Sequence, residues 1–424
     1  MVRLSLTLCR IKYSYRLKNI REKKGHYRIN QYPSIIRGIL QEKGVEIEDP
    51  LEYINPPEPK WKPPQTLPPD FRLERFKEPS VTPKKHEVWH VSSKISLTEG
   101  IDQACLLTKT QRFDGLPEQV KKLLGQYSVD KQNEMVKDAI MQSQVWNNTM
   151  EKLPKITDTA HPGWYFPRQY GIPDTTSAHI LLDRLLRMSQ SMCGKFPDLA
   201  TQRRVLCKPS VETTYEYQGE TIQIAADNEF MVVGYEPLAP FGKKNLVNDS
   251  VNHQLLDMYP ILPTVDLKKI KMDELLNRGA FREVLEVPCS HPQIVYRING
   301  GKRSRSDPFQ AYNLMTTFGI AIAEARSRYG TYSGQLETPV TVINVNMGIN
   351  ELNFIMFQLN TMDLHSDTGI KNFAWFDSAK MFSKNYCQPW LNPPDWTYTP
   401  PTYSDYNSEA FEKFLALYLY DYAK

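Results

Sequence analysis

Residues 86–90 read HEVWH, which as letters is H-E-x-x-H. On a helix that spacing sets two imidazoles one turn apart, where they hold zinc while the glutamate activates a bound water. The chemistry on offer is metal-assisted hydrolysis, carried by His86, Glu87 and His90. The surrounding residues argue for another backbone. Val88 and Val91 are β-branched, Pro83 stands three residues ahead, and the run EVWHVSSKIS has no helical stripe. A strand is expected here, with Val88 and Trp89 facing opposite ways. At ~3.3 Å per residue the two imidazoles then sit roughly 13 Å apart, far beyond the reach of one zinc with bonds of about 2.0–2.1 Å. A zinc-dependent or other enzyme therefore stands only as the alternative reading.

A second cluster carries charge. GGKRSRSD spans Gly300 to Asp307, and Arg297 precedes it. Two glycines, three cations and two serines in a loop suit the wrapping of a phosphate backbone. The helix expected after it carries Arg326 and Arg328 near its far end. The candidate RNA contacts are accordingly Arg297, Lys302, Arg303, Arg305, Arg326 and Arg328. The aromatics of a later Pro-rich loop (Trp390, Trp396, Tyr398, Tyr403, Tyr406) suit packing on a protein surface, with stacking on bases as the other option.

Other site chemistries leave no trace. There is no G-x-x-x-x-G-K-[ST], no G-x-G-x-x-G after a strand and no G-x-S-x-G elbow. The six cysteines (Cys9, Cys105, Cys193, Cys207, Cys289, Cys387) are scattered with no C-x-x-C pair. They read as free thiols in a reducing compartment. No cofactor, metal or catalytic residue is expected.

The elements that position these residues are legible in part. LPEQVKKLL (116–124), VDKQNEMVKDAIMQSQVW (129–146) and TTSAHILLDRLLRMSQSM (175–192) have helical spacing. Val211 to Leu238 is β-rich, with a hairpin turn at Gly219. DPFQAYNLMTTFGIAIAEARSRYG is the clearest helix. Its apolar stripe is Leu314, Phe318, Ala321, Ile322, Ala325 and Tyr329, Asp307 can cap it with Pro308 next in line, and Gly330 stops it. PVTVINVN and ELNFIMFQLNT follow as strands. The second is apolar on both faces, so it belongs inside a sheet covered on both sides. SEAFEKFLALYLYDYAK closes the chain as a capped amphipathic helix. The fold class is mixed α/β: a central mixed sheet flanked by helices, with an extended Pro-rich N-terminal arm.

The chain has 424 residues, 41% hydrophobic and 24% charged, with a net charge of +4. No apolar run approaches the ~20 residues that span a bilayer. The charge is uneven. Residues 1–28 carry nine basic side chains against the single acid Glu22, and in the rest acids outnumber bases. Leu4, Leu8, Ile11 and Tyr15 recur at helical spacing among those cations. An amphipathic cation of this kind suits mitochondrial import; a retained RNA-touching arm is the other option. Residues 50–83 hold ten prolines, which fix φ and remove donors, so the segment is extended. The expected organisation is a targeting segment (1–28), a Pro-rich arm (29–83) and a mixed α/β body (84–424).

Four stretches in order resemble a known family. EGIDQACLLTKTQRFDGLPEQV (99–120), FGIAIAEARSRYG (318–330), FQLNTMDL with GIKNFAWFDS (357–378) and FEKFLALYL (411–419) are similar to the mitochondrial large ribosomal subunit protein thirty-seven family. A sister family, the mitochondrial ribosomal protein called programmed cell death protein nine, is less similar. The resemblance implies a non-catalytic component of the mitochondrial ribosome in the matrix. It also implies pairing with that sister protein and contact with large-subunit ribosomal RNA and neighbouring ribosomal proteins. A transient matrix RNA-binding assembly factor is a further alternative.

Overall fold

The computed structural model describes residues 38–44, 86–92, 97–145, 170–272, 290–299, 307–330, 334–385 and 402–423, with short pieces between 151 and 168 and at 275. The chain divides into two compact units, Met1–Thr82 and Pro83–Lys424. The first is described only at 38–44, where residues 38–42 form a helical turn inside the span expected to be extended. The basic start and the Pro-rich run lie outside the described residues.

The second unit begins with β1 (His86–Val91), α1 (Gly100–Leu107), β2 (Thr110–Asp114), α2 (Glu118–Leu123) and α3 (Gln132–Val145). A two-stranded pair, β3 (Glu151–Lys152) and β4 (Tyr170–Gly171), leads to α4 (Asp174–Gln190) and α5 (Asp198–Thr201). Then come β5 (Arg203–Cys207), β6 (Ser210–Tyr217), β7 (Glu220–Asp227), β8 (Phe230–Gly234), α6 (Lys244–Asp249), β9 (Lys268–Met272) and β10 (His291–Ile298). The chain finishes with α7 (Asp307–Tyr329), β11 (Gln335–Met347), β12 (Glu351–Thr361), β13 (Asn372–Lys380), β14 (Ser383–Asn385), β15 (Thr402–Ser404) and α8 (Glu409–Leu419).

Seven strands form one mixed sheet in the order β2-β13-β12-β11-β10-β8-β5. β10 and β11 are parallel neighbours joined through α7, and β2 lies parallel to β13. Four strands form a second sheet, β6-β7-β1-β9. The expected hairpin at Gly219 joins β6 to β7. Gln218 and Gly219 both take positive φ, 48° and 84°, the pattern of a tight turn matched to strand twist.

Alternation along the large sheet separates two cores. Ile343, Val345, Phe354, Met356, Phe373 and Trp375 face one way, packing with Leu181 and Leu185 of α4 and Phe411 and Phe414 of α8. Val340, Val342, Ile355, Phe357 and Leu359 face the other way, against α1 and α7. All eleven residues of β12 are buried, as expected for a strand covered on both sides. At the start of α8, Asn407 Oδ1 accepts the Glu409 N–H at 3.0 Å, so Asn407 rather than Ser408 supplies the side-chain cap.

The second sheet explains α7. This helix lies between the two sheets, so the apolar stripe is only part of its buried surface. Met315, Thr316, Thr317, Gly319 and Ile320 are buried as well. Phe318 meets Phe357 of the large sheet at 6.0 Å and Tyr215 of the small sheet at 5.0 Å between ring centres, both edge to face. A Cβ on Gly319 would approach Ile224 Cγ2 to 3.0 Å, so glycine lets the helix sit close against β7. A helix apolar on most of its circumference is one that is buried all round.

Candidate nucleic-acid interface

HEVWH forms the whole of β1 apart from Val91, and it lies between β7 and β9. His86 is opposite Met272 and His90 opposite Lys268, so the imidazoles stand at the two ends of an extended run rather than one helical turn apart. Val88 and Val91 are each 1% exposed. Glu87 pairs across the strands with Lys271 at 3.1 Å. Trp89 donates its indole N–H to Glu220, and Lys269 stands 4.5 Å from its ring centre. Burial pulls the His90 imidazole below its ordinary range, with Glu212 opposing. Among the described residues, no group of three or more His, Cys, Asp or Glu side chains comes together as a metal-binding set.

The basic cluster divides. Lys302, Arg303 and Arg305 lie outside the described residues, in the connection between β10 and α7. The three flanking arginines are turned toward the protein. Arg297, at the end of β10, is only 8% exposed. Its guanidinium donates to Thr316 Oγ1 and to Tyr312 Oη (3.2 Å), and stacks over the Tyr312 ring at 4.8 Å. The strand's inward-facing register, not its neighbours in sequence, sets that direction. Arg328 pairs with Glu324 at 2.5 Å. Glu324 is 5% exposed and is also held by His291 at 2.6 Å. Arg326 donates to Thr213 at 3.4 Å, and burial lowers its pKa against the opposing pull of Glu216. The expected six-residue patch therefore does not present Arg297, Arg326 and Arg328 as a common outward surface.

Other buried charges fasten elements together. Lys413 of α8 reaches Asp377 of β13 and Glu409, each at 2.9 Å. The Arg203 guanidinium is enclosed by the C-terminal residues: its Nε donates to Gln293 Oε1 at 2.6 Å and its NH1 to the Tyr418 carbonyl. Sequence reasoning missed Arg203 because nothing local marks it; Gln293 lies 90 positions away and Tyr418 lies 215 away. Cys105, Cys193 and Cys207 are free thiols, and burial, helped by Asp102, pushes Cys105 up to about 12. Among the described residues, no helix is long and apolar enough to cross a membrane.

Together these features define a mixed α/β body in which the buried charges described above are held by partners within the protein, charged or neutral, and HEVWH is a strand. No protein-family model matches the chain. Curated relatives do. The chain is 30% identical over 371 residues to large ribosomal subunit protein mL37 of Bos taurus, covering 85% of this chain and 82% of that protein. It is 31% identical over 335 residues to the protein of the same name from Gallus gallus, covering 77% and 72%. With that of Rattus norvegicus the identity is 30% over 344 residues, covering 80% and 76%. The chain belongs to the mL37 family of large ribosomal subunit proteins.

Proposed function

We propose that this protein is a structural, non-catalytic component of the large subunit of the mitochondrial ribosome. It supports mitochondrial translation from the matrix by docking to ribosomal RNA and neighbouring ribosomal proteins. The observation that carries the reading is the likeness to relatives named large ribosomal subunit protein mL37 over about four fifths of both chains. The zinc-enzyme alternative loses its footing because HEVWH is a strand.

RNA contact falls to the loop cations Lys302, Arg303 and Arg305, because Arg297, Arg326 and Arg328 are engaged with Thr316, Thr213 and Glu324. A basic first segment followed by a body in which acids outnumber bases fits local phosphate contact, with much of the surface given to protein partners. The sister ribosomal protein called programmed cell death protein nine is the proposed neighbour. Residues 1–28 act as the targeting segment and 29–83 as an arm ahead of the body.

Depletion tests this reading. Loss of the protein lowers assembled large subunits and mitochondrial protein synthesis while free small subunits persist. Unchanged large subunits after depletion would contradict it. Cross-linking in purified ribosomes reads out the neighbour.

A further inference from the structure

A cleft of about 320 Å³ opens on the α7 face of the large sheet, over β12, β13 and β2. Its size is that of a small-ligand site. Gln310 and Asn313 of α7 line one side, and Ile355 and Phe376 line the other. Arg112 and Asp114 stand at the solvent end and pair with each other at 3.2 Å. Asn313 is 1% exposed, yet neither its Oδ1 nor its Nδ2 meets a hydrogen-bond partner. An amide buried with both its donor and its acceptor unmatched is costly. Asn313 lines this cleft, and a group that offers an acceptor and a donor side by side matches its amide.

We propose that the cleft binds an unpaired adenine-type purine base, held by the Asn313 amide. Three observations select that chemistry. The Arg112–Asp114 pair is self-compensating, and the other carboxylate of the lining, Asp377, pairs with Lys413, so the cleft does not call for a charged ligand. The Phe376 ring, with the Arg112 guanidinium 5.6 Å from its centre, supplies flat surfaces on which a base stacks. An asparagine amide matches the N6 and N7 edge of adenine with two hydrogen bonds. β12 and β13 are each paired on both sides and offer an extended peptide no backbone edge, so among the described residues the free edge of β2 is the one place at the cleft where a strand could add. The base comes from an RNA strand or from a free nucleotide. The proposal relies on the ribosomal reading only for the first of these sources.

The test uses the full chain and labelled single-stranded RNA of one length: oligoadenylate, oligouridylate and an abasic strand. AMP and a capped asparagine amide serve as competitors. Native protein prefers oligoadenylate to the abasic strand by roughly tenfold, the scale of one two-bond base contact. Asn313→Leu abolishes the preference without lowering Tm, because it removes an unmatched amide at similar volume. Gln310→Ala, nearer the opening, is the second variant and weakens the preference. AMP binding without strand binding assigns the base to a free nucleotide, and strand binding assigns it to RNA; both support the pocket. Equal affinity for all three strands with no AMP binding overturns it, leaving water only. A preference that survives in Asn313→Leu overturns it too, as does competition by the asparagine amide equal to that by AMP. Ribosome membership is read separately by sedimentation, so either reading can fail alone.

Discussion

The Arg203 guanidinium carbon lies 3.9 Å from the ring centre of Tyr422, and this contact closes the chain's last residues onto β5. The same guanidinium is 5.3 Å from the Tyr418 ring centre and bonds to Gln293 and to the Tyr418 carbonyl. Burial pulls the Arg203 pKa down while the tyrosines oppose. The group is tolerated because its donors are matched. Arg203→Ala therefore leaves an acceptor and a carbonyl unpaired in a dry site. We expect a loss of about 3 kcal/mol, read as a lower urea midpoint at unchanged slope. A midpoint within error of the native protein would remove Arg203 as the fastener of α8.

Alkali provides a second test. Burial pushes Tyr217 up to about 12 and Tyr418 to about 12, and raises Tyr215 and Tyr296 well above the ordinary value. A folded-state pKa raised above the unfolded value of about 10 gives stability that is fully present below pH 10. That stability is lost as pH rises through about 12. These phenols should ionise only together with unfolding, so tyrosinate absorbance and far-UV circular dichroism should change in step. Smooth ionisation near pH 10 with the fold intact would contradict their burial.

The arginines around the basic loop separate into structural and surface roles. Arg297→Leu should lower Tm, because it strips Tyr312 and Thr316 of a buried partner. Reversal of Lys302, Arg303 and Arg305 to glutamate should leave Tm within a degree or two while weakening ribosome incorporation and flattening its salt dependence. Incorporation unchanged by the triple reversal would discard the loop as an RNA contact.

Metal content addresses the remaining rival. Purified native protein and His90→Ala should carry the same substoichiometric zinc, since the two imidazoles occupy opposite ends of β1. One zinc per chain, lost in His90→Ala, would restore the peptidase reading.

The large elements were legible because their apolar periods are long. α7, β12 and the β6–β7 hairpin follow directly from spacing and from Gly219. What the spacing did not show is the second sheet. A stripe of six residues on α7 describes a helix packed on one side, and only the presence of β6 and β7 opposite makes Met315 and Ile320 core residues too. HEVWH was readable as a strand from Val88 and Val91, yet its cross-strand pair Glu87–Lys271 depends on β9, which lies 181 residues away at its start. Arg297 shows the limit for sites. Composition places it in a basic cluster, but the strand's alternation points it at α7. Asn313, an ordinary polar residue within an apolar helix, becomes notable only once its empty hydrogen-bonding environment is seen.

The most direct test of the central claim is sedimentation of mitochondrial lysate through a density gradient. The protein should travel with the large subunit and with the assembled ribosome, and should remain there after a moderate-salt wash. Confinement to the light fractions would contradict its place as a structural component of the large subunit.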